Sequence, residues 1–181
     1  MISHLNKLSL FKKILMSLLL GCLVIIIIFF ALLEQQLNKK LTLEQTELLT
    51  IEKGSSVGSF AKILVNKGWL ANRFWLRSYA RLNPDKVRIK AGTYQILSDI
   101  TLRALLEHVS TGKEHQFSVT FIEGSTFKEW LVKLQQQPNL SHRLSTFTVE
   151  EIAKYLNIKQ TNPEGWFFPE TYAFTQGTLE I

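Results

Sequence analysis

The densest chemistry in this 181-residue sequence is one segment, Glu164-Gly-Trp-Phe-Phe-Pro-Glu-Thr-Tyr172. Trp166, Phe167, Phe168 and Tyr172 offer ring faces that can wall a site against sugar rings or another apolar surface. Glu164 and Glu170 can hydrogen-bond hydroxyls or orient a catalytic group. The plainer reading is a loop that plugs one edge of a core with its acids solvated. Residue types alone favour that reading, because aromatic side chains are core by default.

A second candidate is cationic. Arg73, Arg77 and Arg81 lie four apart, and Lys86, Arg88 and Lys90 follow. On a helix this spacing puts the three arginines on one face. Such a row suits contact with anionic lipid or anionic wall polymer. A solvated helix face is the commoner meaning of a charge run.

Other chemistries lack their residues. GxGxxG, GxxxxGK[ST] and HExxH are absent, and no nucleophile-elbow motif joins a Ser to a His and an Asp. His4, His108, His115 and His142 are scattered, so no metal and no cofactor is expected. Net charge is +6, and three of the cations precede the first apolar run. The mild excess left after it does not indicate nucleic-acid binding. The single cysteine, Cys22, lies inside the apolar run, so the remainder has no disulfide or thiol chemistry. That fits a bacterial envelope protein better than a small extracellular animal domain.

The elements that must position these residues are readable from periodicity. Ile14 to Leu33 is an uncharged run whose only polar side chain is Ser17. As a helix it spans roughly 30 Å, the thickness of a hydrocarbon core. Lys7, Lys12 and Lys13 precede it with no acid, which puts the N-terminus in the cytoplasm by the positive-inside rule. No small-x-small site follows, so an uncleaved anchor is expected rather than a signal peptide. Residues 34–44 read as a polar stalk continuing that helix.

A β-prone stretch runs from Gln45 to Ile51. Ser55 or Ser56 then caps a helix using Val57, Phe60, Ala61, Leu64 and Val65, and Gly68 ends it. A helix from near Asn72 has Phe74, Trp75, Ser78, Tyr79 and Leu82 as its expected inner face, and Asn83-Pro84 stops it. Lys90 to Leu97 reads as a strand, Thr101 to Val109 as a helix closed by Gly112, and Phe117 to Ile122 as an alternating strand. Glu123-Gly-Ser-Thr126 turns into a helix using Phe127, Trp130, Leu131 and Leu134. Thr148, with Glu151 three residues on, caps a short helix to Leu156. Asn162-Pro163 opens the loop that carries Glu164 to Tyr172. Ile51-Glu-Lys-Gly-Ser-Ser56 and Ile122-Glu-Gly-Ser-Thr126 echo each other as strand-Gly-Ser-helix joins, which reads as two similar small modules.

In order and spacing these segments resemble the endolytic murein transglycosylases, the MltG or YceG-like proteins of the bacterial inner membrane. Lys90-Ala-Gly-Thr-Tyr94 resembles the family's K-A-G-x-Y element. Glu164 to Tyr172 resembles its E-G-x-x-x-P-[DE]-T-Y element, and Ile122-Glu-Gly-Ser125 its x-E-G strand end. The resemblance implies an α+β fold: cytoplasmic tail 1–13, transmembrane helix 14–33, stalk 34–44, a LysM-like β-α-α-β module over 45–112, and the incomplete start of the catalytic domain over 113–181.

It also implies a reaction. A glutamic acid protonates the glycosidic oxygen between MurNAc and GlcNAc. The sugar's own C6 hydroxyl then attacks C1, leaving a 1,6-anhydro-MurNAc end and consuming no water. One carboxyl suffices, unlike the pair that ordinary glycosidases use. Such cleavage of nascent strands would terminate glycan elongation. In the family this glutamate lies in a helix beyond the position matching Ile181, so no catalytic acid is assigned in this chain, which is expected to be inactive alone. Glu164, Gly165, Trp166, Phe168, Pro169, Glu170, Thr171 and Tyr172 are expected in the surroundings of the substrate site. Implied partners are peptidoglycan glycan strands, membrane lipid along Ile14 to Leu33, and peptidoglycan synthases, with the bulk of the chain periplasmic. A non-catalytic, glycan-binding or scaffold protein of the envelope is the competing expectation.

Overall fold

A computed structural model describes residues 2–179, with side chains from Lys12 onward; Lys7 of the orientation argument lies outside those side chains. The described chain is α+β, with six helices and three two-stranded sheets. It divides into two compact units. One gathers Met1–Gln45, Ser56–Ile89 and Leu97–Ser110; the other gathers Thr46–Ser55, Lys90–Ile96 and Thr111–Ile181.

The first unit begins with α1 (Ile2–Asn38). Its stretch Lys12–Asn38 is one helix long and apolar enough to cross a membrane by length and composition. The helix runs past Leu33, as the polar stalk suggested, but Leu33, Leu37 and Leu41 are buried. The exit from α1 is therefore packed. Leu41 N–H donates to the Ile100 carbonyl (2.9 Å) and Leu102 N–H to the Lys39 carbonyl (3.4 Å). Arg103 of α4 (Leu102–Thr111) pairs with Glu34 at 2.5 Å and donates to Asn38 Oδ1 at 3.2 Å. Exposed ion pairs add little singly, but this one sits on a packed helix end.

In the same unit, Ser56 caps α2 (Val57–Asn66) by accepting from Ser59 N–H. Gly68 leaves that helix at φ +73, a left-handed conformation that glycine adopts without Cβ strain. Helix α3 (Phe74–Leu82) differs from its expected inner face: Leu76 is its one buried residue, while Phe74 and Leu82 are about half exposed. The physical reason is that its apolar residues occupy two sides. Trp75 turns toward Phe29 of α1, Arg103 lies over the Tyr79 ring at 5.7 Å, and Leu76 points inward.

The second unit holds the strands. β1 (Glu47–Ile51) pairs antiparallel with β2 (Gly92–Ile96), with Leu49 opposite Tyr94. In chain order α2 and α3 fall between them, giving β-α-α-β. β3 (Phe117–Thr120) pairs antiparallel with β5 (Thr171–Phe174), Val119 opposite Tyr172. The loop expected through Tyr172 is thus a strand over its last two residues, because Thr-Tyr-Ala-Phe is β-prone and finds a partner 51 residues earlier in Thr120. β4 (Leu140–Ser141) and β6 (Thr178–Leu179) form a short parallel pair.

Helices α5 (Phe127–Gln135) and α6 (Val149–Tyr155) both start with capping boxes, Thr126 with Glu129 and Thr148 with Glu151. The Thr148 N–H and then its hydroxyl hold the Glu151 carboxyl below its usual range. Val119, Phe121, Trp130, Leu140 and Phe174 form one buried cluster, and Phe127, Leu144 and Ile152 another. Phe167 packs against both.

Candidate functional site

Two turns meet at one cleft in the second unit. The first is the exit from β3, where Gly124 takes φ +81 and Ser125 Oγ donates to the Ile122 carbonyl. The second is the Pro163–Trp166 turn, closed by Trp166 N–H donating to the Pro163 carbonyl at 3.1 Å with Gly165 at φ +79. The cleft is about 140 Å³ and is lined by Glu123, Ser125, Trp130, Pro163, Glu164 and Pro169 among others.

Glu164 joins the turns. Its Oε2 accepts the Phe127 N–H at 2.9 Å, and its own N–H donates to Asn162 Oδ1 at 3.1 Å. An α-helix leaves its first N–H groups unsatisfied and carries partial positive charge there. A carboxylate arriving from 37 residues away satisfies one of them. One carboxylate oxygen is therefore committed to holding α5 to the loop.

The loop then alternates. Trp166 is 52% exposed and Phe168 77% exposed, while Phe167 between them turns inward. Phe167 stacks on Phe127 (centroids 5.4 Å, 15°) and meets Trp130 nearly edge-on at 6.5 Å. Trp130 stacks on Phe121 at 4.4 Å, and Phe121 leans on Tyr172 at 5.8 Å. The result is a continuous aromatic ladder from Phe127 to Tyr172. Tyr172 Oη donates to the Phe168 carbonyl at 3.0 Å, clasping Pro169 between them. The Glu170 carbonyl accepts from Phe121 N–H at 2.9 Å, extending the β3–β5 ladder, and its side chain is exposed. Thr171 and Thr120 pair their hydroxyls at 2.9 Å.

Behind the ladder lies an apolar cavity of about 350 Å³, lined by Val119, Phe121, Leu134, Tyr172 and Leu179 among others. Trp130 borders both spaces. Its indole N–H is buried without an acceptor among the described residues. A buried unpaired donor costs about 1–3 kcal/mol.

Glu164, Gly165, Phe167 and Pro169 are thus brought together at the cleft, with Trp166 and Phe168 presented outward beside it. Arg73, Arg77 and Arg81 lie in the other unit, all exposed. Sequence reasoning gave no role to Glu123 or Trp130 in the site, and it grouped Phe167 with the outward rings, whereas the structure turns it inward. The Trp-Phe-Phe alternation was the available signal for Phe167, since a central ring flanked by two outward ones must face in. Gln176 also went unremarked: its Oε1 accepts from the Thr50 hydroxyl at 3.1 Å and from the buried Thr93 hydroxyl, tying the β1–β2 pair to the turn before β6.

An α+β chain with one span-length apolar helix and an aromatic cleft built from two Glu-Gly turns defines the class. A model of the YceG-like family matches residues 49–180, and the chain belongs to that family. No curated protein matches it. Among solved structures it is similar to a yceG-like protein, lmo1499, from Listeria monocytogenes, at 22% identity and a TM-score of 0.36. That match covers 77% of this chain, which spans about half (51%) of the Listeria chain.

Proposed function

We propose that this chain is the anchor and substrate-facing part of an endolytic peptidoglycan lytic transglycosylase of the bacterial inner membrane. It holds nascent glycan strands for cleavage between MurNAc and GlcNAc, which yields 1,6-anhydro-MurNAc ends and terminates elongation. Family membership and the cleft support this reading. The observation that carries it is the convergence of both Glu-Gly turns on one aromatic-floored cleft, with Trp166 and Phe168 left facing solvent. Exposed rings beside hydroxyl and carboxyl groups suit a pyranose, which has apolar faces and polar edges. The catalytic acid is assigned to no residue of this chain.

The β-α-α-β order of residues 45–112 supports a LysM-like glycan-binding module alongside. Burial of Leu33 and the Phe29–Trp75 contact support an uncleaved anchor, since cleavage after the span would remove part of the first unit's packing. With the lysines before the span inside, the bulk lies in the periplasm, within reach of peptidoglycan synthases.

One observation favours a non-catalytic, glycan-binding reading. Glu164 has one carboxylate oxygen bound to the α5 N-terminus, so it is arranged as a helix cap rather than as a free acid. One experiment separates the readings. Soluble glycan strands are titrated into the full chain in detergent, and the products are examined for anhydro-muropeptides. Binding is expected, weakened about fivefold or more by Trp166→Ala or Phe168→Ala through lost apolar contact. No anhydro ends are expected from this chain alone; their appearance would place the acid within it. Absence of binding would sink both readings.

A further inference from the structure

We infer that α3 is an interfacial helix, seated on the membrane surface where α1 emerges and held there by anionic lipid headgroups. The inference rests on reading Ile14 to Leu33 as the span. With a rise of about 1.5 Å per residue, Phe29 sits roughly 6 Å inside the end marked by Leu33. The Trp75 ring lies 5.9 Å from the Phe29 ring, so Trp75 occupies the boundary between acyl chains and headgroups. That is the level at which Trp and Tyr concentrate in membrane proteins, their apolar rings in lipid and their polar edges in water. Phe74 meets Trp75 edge to face at 5.0 Å and is 56% exposed. Left in water, such a ring is an unsatisfied apolar surface; at this depth it enters the acyl boundary.

The remaining exposed side chains of α3 match the same surface. At 100° per residue, Arg77 and Arg81 flank Phe74, and Leu82 follows on the other side. Arg73, Arg77 and Arg81 are exposed, and among the described residues no carboxylate pairs with them. Their long stems allow the guanidinium groups to reach upward to headgroups while apolar neighbours sink. Each cation near an anionic leaflet strengthens association by about fivefold. The position is enforced locally. Arg103 bonds Glu34 and Asn38 at the end of α1 and lies over Tyr79 of α3, so α3 cannot swing freely from the exit of the span.

The test uses the full chain in proteoliposomes, with Cys22→Ser and a bimane fluorophore placed at Phe74→Cys or, as a reference, Ile25→Cys. Quenching by lipids brominated on their acyl chains is measured in phosphatidylglycerol-containing and pure phosphatidylcholine vesicles. Strong quenching at both positions is expected in phosphatidylglycerol. Triple reversal (Arg73→Glu, Arg77→Glu, Arg81→Glu) is expected to cut the signal at position 74 by about half or more there, with little change at position 25. Quenching at position 25 with none at 74 overturns the inference and leaves the span intact. No quenching at either position overturns both. A signal at 74 that ignores lipid charge and the reversal, but shifts on adding soluble glycan strands, assigns the arginines to wall polymer and overturns the lipid assignment.

Discussion

Two motifs of the second unit, Lys90 to Tyr94 and Glu164 to Tyr172, are built on one plan and finished differently. Each opens with a charged residue that reaches a helix terminus of matching polarity. Lys90 Nζ donates to the carbonyl of Thr111, the last residue of α4 (3.0 Å); Glu164 accepts from the first N–H of α5 (2.9 Å). Both are the favourable pairing with the helix dipole. Each closes with a tyrosine donating to the carbonyl four residues back, Tyr94 to Lys90 (3.1 Å) and Tyr172 to Phe168 (3.0 Å). Each needs a glycine at positive φ, Gly92 (+140) and Gly165 (+79). What differs is the finish. Tyr94 is wholly buried, and the Glu114 side chain lies against Gly92, where an added Cβ would sit 2.5 Å from it. Tyr172 is 41% exposed, Gly165 has open space, and Trp166 and Phe168 face out. One device, when sealed, makes a structural joint; left open, it makes a binding surface.

The largest expected effect separates the two tyrosines. Tyr94→Ala should destabilise the full chain by about 3–5 kcal/mol, the usual cost of emptying a buried aromatic site. Tyr172→Ala should cost less, about 1–3 kcal/mol, for its single hydrogen bond and the part of its ring that packs against Phe121. Denaturant unfolding of both variants in detergent checks this. Equal losses would mean that the second motif is as structural as the first.

Alkaline stability sharpens the contrast. Burial, and then the Glu114 carboxylate, push the Tyr94 phenol above its ordinary range. The folded chain thus holds that proton more tightly than the unfolded chain does. The resulting stability is fully present below about pH 10, the unfolded value, and is lost as pH rises beyond it. Tyr94→Phe should flatten this alkaline limb, and Glu114→Gln should weaken it in part. Thermal unfolding between pH 8 and about 11 gives the reading. A limb unchanged in Tyr94→Phe would show that another group drives it.

Helix starts and stops were easier to foresee than the partners of either motif. Helix starts at Ser56, Thr126 and Thr148, and glycine exits at Gly68 and Gly112, are written in neighbouring residues, and the structure places them as the local rules require. The long apolar helix and the family were legible for the same reason: a run or an ordered spacing needs no knowledge of the fold. The inner face expected of α3 failed because its surroundings decide it. Periodicity groups Phe74 with Trp75 and Leu82, but only neighbours from α1 and α4 determine which sides are covered. β5 escaped notice because its strand character depends on β3, and the role of Glu164 because its partner is Phe127. A capping carboxylate 37 residues from its helix leaves no local signature. The outward ring pair was visible as composition and became interpretable only when Phe167 was seen to turn in.

The smallest effect concerns the opening charges, and it decides what Glu164 is for. Lys90→Met and Glu164→Gln each remove one charge from a helix end, worth about 0.3–1 kcal/mol and shrinking as salt rises. Glu164→Gln keeps an oxygen to accept the Phe127 N–H, so its loss should be purely electrostatic and should match that of Lys90→Met in unfolding titrations at low and high salt. Glycan affinity supplies the second axis. If Glu164 serves only α5, Glu164→Gln should leave binding unchanged, as should Lys90→Met. A tenfold loss of binding in Glu164→Gln, with stability altered no more than in Lys90→Met, would mean that the carboxylate also faces the sugar. The open motif would then differ from the sealed one in its charge as well as in its rings.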